Sequence, residues 1–106
     1  MTDAPRDMIA PEDCQSMAEV RAGIDALDLQ IVEMLAIRFR FMTAAARIKA
    51  DRGAVRDGDR KAQVIANARA AAERAGIPAD VIGDIWERLV EGSIAFEFDR
   101  WDEHRT

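Results

Sequence analysis

The chain has 106 residues, 49% hydrophobic and 33% charged, which is the composition of one folded domain and not of a disordered tail. Its net charge of -5 argues against general nucleic-acid affinity, because phosphate binding rests on an excess of Lys and Arg along a face. One cysteine, Cys14, and one histidine, His104, leave no internal disulfide and no thiol or imidazole cluster for zinc, and nothing points to a carboxylate metal site. No stretch approaches the roughly eighteen apolar residues of a membrane span. Met1 to Ala10 lacks the apolar core of a signal peptide, so a cytoplasmic location is the expected default and no membrane partner is expected.

Residues 1–15 hold Pro5 and Pro11 and no apolar period, and read as an arm, mobile at its start, ahead of a helical domain over 16–106. Ser16 followed by Glu19 has the spacing of a capping box, so the first helix is expected near Met17. From there to about Asp51 no proline intervenes and the sole interior glycine is Gly23, which predicts roughly 35 residues and about 52 Å of helix, with Gly53 as its stop. Ile24, Leu27, Ile31, Leu35, Met42, Ala45 and Ile48 mark an apolar stripe at helical spacing. Arg38 and Lys49 lie eleven residues apart, three turns, and so share one face. Long cations beside such a stripe call for an anionic partner. A compact monomer of this length has a radius of gyration of only about 13 Å. A 52 Å rod would carry its stripe into water, and the simplest remedy is a homodimer in which two such helices bury one another.

The Gly53–Gly58 segment, with two glycines and charged neighbours, is the candidate lid. A shorter second helix is expected from Asp59 or Arg60 to Ala75, capped by Asp57 or Asp59 and ended by Gly76. Pro78 suits the start of a third, with Val81, Ile82, Ile85, Trp86, Leu89, Val90 and Ile94 as its apolar face. Ser93 and Glu97, four apart, continue that line and place a hydroxyl and a carboxyl on the buried side, where polar groups need a reason. No strand pattern competes. The fold class is all-α: one long, one short and one medium helix per chain in an intertwined homodimeric bundle. Arg38, Lys49, Ser93 and Glu97 could project into a polar pocket, with Arg60 added from the second helix. Arg21 stands seventeen residues before Arg38, about 100° off its face, and should serve another surface, the partner's pocket.

These residues resemble the all-helical chorismate mutase family, including its isochorismate pyruvate-lyase branch. The resemblance covers nearly the whole chain and rests on V-R-A-G-I-D-A-L-D (20–28), L-A-I-R-F-R (35–40), A-R-I-K-A (46–50), V-R-D-G-D-R-K (55–61) and S-I-A-F-E (93–97). P-E-D-C (11–14) looks especially like the lyase branch, while the charge and loop features favour the mutase. The family likeness implies a pericyclic rearrangement of the dianion chorismate to prephenate, with no covalent intermediate and no cofactor. It implies that Arg38 and the partner's Arg21 hold the substrate carboxylates through planar forks. Lys49 would bind a carboxylate and the ether oxygen, where charge grows as the C–O bond breaks. Arg60 and the Asp57 backbone would contact the ring side, and Ser93 a carboxylate.

Two positions depart from the pattern. Close bacterial mutases have glutamine where this chain has Glu97, and an ionised glutamate has no proton to give the ether oxygen, so Glu97 must be protonated for that role. Lys61 stands where many mutases place a glutamate that accepts the ring hydroxyl, and lysine cannot accept. Substrate choice therefore stays open between the mutase, an isochorismate lyase yielding salicylate and pyruvate, and a non-catalytic helical dimer in which Lys49 and Glu97 merely pair inside a degenerate pocket. Trp86 and Trp101 read as core and helix-end packing, and Met34 and Met42 as core filler. Cys14 and His104 are expected to be solvated bystanders, and Arg56, Asp57 and Asp59 a loop charge cluster.

Overall fold

A computed structural model describes residues 9–106; the mobility expected at the start of the arm falls outside the described residues. The elements are α1 (Met17–Ile48), α2 (Gly58–Ala75) and α3 (Ala79–His104), with 3-10 turns at Pro11–Asp13 and Arg52–Val55. The fold class is all-α as expected, and there is no strand among the described residues. No helix of the described residues is long and apolar enough to cross a membrane. The chain divides into two compact units, one ending at Arg38 and one from Phe39 to Thr106, and α1 passes from the first into the second.

In the first unit, α1 begins at the residue its cap predicts. Ser16 Oγ accepts the Glu19 N–H at 3.2 Å, and Glu19 Oε1 accepts the N–H of Gln15, not of Ser16, at 2.7 Å. The box is thus closed one residue further out, which ties the arm to the first turn. Ile9, Pro11 and Cys14 face Val20, Ile24 and Leu27 across a cavity of about 130 Å³, so Cys14 is half-buried and not the solvated bystander expected. Further along, Leu29 (69% exposed), Ile31, Val32 and Met34 lie open, so Met34 fills no core in the single chain. Leu29 stands well off the predicted stripe. The exposed apolar residues of this length of helix thus spread wider than the predicted stripe.

In the second unit, α1 stops at Ile48, five residues before Gly53. Its last orphan carbonyls are taken up by α3: Arg105 donates to Ala46 O at 2.9 Å and to Lys49 O at 2.6 Å, and Trp101 Nε1 donates to Lys49 O at 3.1 Å. The stop is therefore a tertiary cap and not a glycine. Trp101 does pack at a helix end as expected, with the Arg105 guanidinium 4.2 Å over its ring.

The Arg52–Val55 turn then drops Val55 into the core beside Val90 and Ile94, with Val64, Ile65, Trp86, Phe98 and Trp101 around them. Each such aliphatic side chain contributes about 1.5–3 kcal/mol by leaving water. Asp57 caps α2, its Oδ1 accepting the Arg60 N–H at 3.0 Å. Gly76 ends α2 with φ of 74°, and the Ile77 N–H bonded to Ala72 O completes a Schellman turn that only glycine adopts at no steric cost. Of the predicted apolar face of α3, Val90 and Ile94 are buried and Ile82, Trp86 and Leu89 half-buried. Val81 and Ile85 remain exposed in the single chain.

Candidate active site

The period of α3 turns Ser93 and Glu97 inward, and both are buried, at 3% and 4% exposure. Lys49, one residue beyond α1, is carried to them by the same tertiary cap that stops the helix. Its Nζ lies 2.7 Å from Glu97 Oε2. The carboxylate is almost wholly enclosed while the ammonium keeps part of its surface. Oε2 nonetheless has no hydrogen-bond partner, so the two groups are close in distance and poorly aligned. A buried carboxyl oxygen satisfied only by charge is costly, and such an oxygen is a place where a further hydrogen-bond donor is stabilising.

Phe39 and Phe96 form an edge-to-face pair with centroids 5.0 Å apart, and the Arg100 guanidinium sits 4.9 Å from the Phe96 centroid. Ser93 Oγ donates to Leu89 O at 2.7 Å, one turn back along α3. To donate to an anion instead, its hydroxyl must turn away from that carbonyl.

The other predicted residues stand as follows. Arg38 is half-buried at the end of the first unit, and Arg21 is exposed within it. Asp57 is occupied as the α2 cap, its backbone carbonyl accepting the Lys61 N–H. Arg60 is exposed, with Nη1 donating to Gln63 Oε1 at 2.8 Å on the surface of α2. The structure thus brings Lys49, Ser93 and Glu97 into one neighbourhood of the second unit, while Arg60 is held by its own helix.

Sequence reasoning passed over the acidic pair Glu87 and Glu91. They lie four apart on α3, which is the signal that could have found them. Glu91 accepts both guanidinium nitrogens of Arg56, at 2.8 and 3.0 Å, and the Lys61 ammonium at 2.7 Å; Lys61 also meets Glu87 at 2.6 Å. The hydrogen bonds from Arg56 and then Lys61 hold the Glu91 carboxyl down at about 2. The same contacts raise Lys61, through Glu87 first and Glu91 second, and raise Arg56 through Glu91. Arg56 is therefore paired across to α3, and not clustered with Asp57 and Asp59 as expected, because the 3-10 turn aims it there. With Val55 buried and Arg56 gripped, the candidate lid segment is tied down at its centre.

This arrangement, an inward lysine and carboxyl on an all-helical scaffold, is accompanied by a match to the family profile described as chorismate mutase type II over residues 20–98. The chain belongs to that family. The match takes in Arg21, Arg38, Lys49, Asp57, Arg60, Ser93 and Glu97. Among relatives, isochorismate pyruvate lyase of Pseudomonas aeruginosa is 32% identical over 98 residues, covering 92% of this chain and 97% of that protein. The T-proteins of Haemophilus influenzae and Enterobacter agglomerans are 29% and 28% identical, covering 78% and 79% of this chain. The chain spans only 22% and 23% of those two proteins.

Proposed function

We propose that the protein is a chorismate mutase, rearranging chorismate to prephenate in a cationic pocket shared between two chains. The observation that carries the reading is the Lys49–Glu97 pair, buried on the inner side of α3 in a chain of the chorismate mutase type II family. In this reading Lys49 faces the ether oxygen and a carboxylate of the substrate, and stabilises the oxygen more as the C–O bond breaks than before it does. Glu97 in its protonated form donates to the same oxygen. Arg38 grips one substrate carboxylate in planar, two-point fashion, and Arg21 of the partner subunit grips the other. Ser93 turns its hydroxyl from Leu89 O to a carboxylate. Arg60 leaves Gln63 to reach the ring side beside the Asp57 backbone. Holding the enolpyruvyl arm over the ring supplies the compact conformer that a pericyclic step requires. The apolar, exposed length of α1 supports the pairing of two chains.

A second reading, isochorismate pyruvate lyase, is favoured by one observation. The lyase relative matches along 97% of its own length, in a span long enough to take in Pro11–Cys14 of the arm. The test is direct: incubate the purified protein with chorismate and, separately, with isochorismate, follow the loss of diene absorbance, and identify the products. Prephenate from chorismate supports the mutase. Salicylate and pyruvate from isochorismate, with chorismate untouched, would overturn it in favour of the lyase.

A further inference from the structure

Glu91 lies on α3 two residues before Ser93, and the proposed chemistry has no use for it. It is nevertheless the most heavily engaged carboxylate in the described part of the chain, with one bidentate arginine and one lysine. Both cations come from the same stretch: Arg56 immediately precedes the α2 cap Asp57, and Lys61 lies in the first turn of α2 directly after Arg60. A two-point guanidinium fork fixes orientation as well as distance, which a single contact does not. Val55 in the core secures the segment from the other side. The residues between these anchors, Asp57 and Arg60, are those assigned to the ring side of the substrate.

We propose that Glu91 is a positioning residue that clamps the 52–61 stretch onto α3 through Arg56 and Lys61, and so aims the Asp57 backbone and Arg60 at the substrate ring. This rests on the proposed function for the identity of the substrate. The clamp also gives Lys61 a use in place of the hydroxyl acceptor found at its position in many mutases: it cannot accept from the ring, and instead secures the strand of chain that must meet it. Glu91 stays ionised throughout the neutral range, because Arg56 and Lys61 hold its carboxyl near 2, so the clamp does not come and go with ordinary changes of pH.

The test uses the full chain and two variants, Glu91→Gln and Arg56→Ala, read in two ways. Ring-side contacts bind ground state and transition state alike, so loosening them raises KM and leaves kcat nearly unchanged. Each variant should raise KM for chorismate, Glu91→Gln about tenfold and Arg56→Ala no more than that, and the double variant no more than Glu91→Gln alone, since what Arg56 does in the clamp passes through Glu91. Amide hydrogen exchange should quicken over residues 52–57 in both variants and stay unchanged along α3. A lower kcat at constant KM would mean a smaller folded fraction and would overturn the positioning role. Additive effects, or exchange over 52–57 equal to wild type, would overturn the clamp itself. A wild-type chain inert to both chorismate and isochorismate would sink the functional reading instead, and hydrogen exchange would still decide the clamp.

Discussion

The two units of this chain differ in how far they bury their apolar residues. From Phe39 onward, Val55, Val90 and Ile94 are gathered into a core closed by aromatic rings, and cations find carboxylates or carbonyls within the same unit. Up to Arg38, α1 carries Ile24, Leu29, Ile31 and Val32 half or more exposed. The second unit closes a core of its own while leaving Phe41, Ile48, Val81 and Ile85 exposed; the first leaves most of its large apolar residues bare. In the proposed reading, the second unit supplies Lys49, Ser93, Glu97 and Arg60 to the pocket, and the first supplies Arg38, a pairing surface and, to the partner, Arg21.

The largest expected effect is at the pocket. Lys49→Met removes the proposed donor to the breaking ether link, and should lower kcat/KM for chorismate by about 10² to 10³, the usual loss for one transition-state donor. Unchanged turnover would remove the second unit from catalysis.

The contrast itself is sharpened by a pair of changes. Ile94→Ala cuts into a closed core and should cost about 2–4 kcal/mol in urea unfolding at any fixed protein concentration. Ile31→Asp cuts no such core, and should act by splitting the assembly, seen as a lower mass in sedimentation. If Ile31→Asp leaves the mass unchanged, the exposed length of α1 is not the pairing surface.

Next comes the departure at Glu97. Glu97→Gln, which keeps an N–H donor for the ether oxygen, should hold kcat/KM for chorismate at or above wild type, while Glu97→Ala, which has no donor, should lower it about tenfold. Equal loss in both variants would leave the Lys49 pair as structure alone.

The smallest effect is in acid. The Glu91 carboxyl, lowered from 4.5 to about 2 by its hydrogen bonds to Arg56 and Lys61, contributes stability that is whole above about pH 4.5 and is lost as pH falls toward 2. The difference in urea midpoint between wild type and Glu91→Gln should therefore shrink over that interval. A difference that stays constant down to pH 2 would show that the clamp adds nothing to folding.

Local chemistry made much of this legible in the sequence. Ser16 and Glu19, Asp57, Gly76 and Pro78 mark helix ends through contacts within a few residues, and each marks the end it was expected to mark. The 3.6-residue period sufficed to bury Ser93 and Glu97. What the sequence hid depends on groups far apart along the chain. The stop of α1 at Ile48 is made by Trp101 and Arg105, more than fifty residues away, so a local reading ran the helix on toward Gly53. Arg56 reads as a loop charge and Lys61 as a departure from the family pattern, because their partner is thirty and more residues downstream. Met34 looked like core because apolar character alone does not say whose core a residue fills.

The division of labour between the units is tested most directly by complementation. Arg21→Ala and Lys49→Met chains, each inactive alone, are unfolded together, refolded together and assayed with chorismate. If Arg21 completes the partner's pocket, half of the pairs are mixed and each mixed pair holds one intact site, so about a quarter of wild-type activity returns. Activity no higher than that of either variant refolded alone would contradict the account.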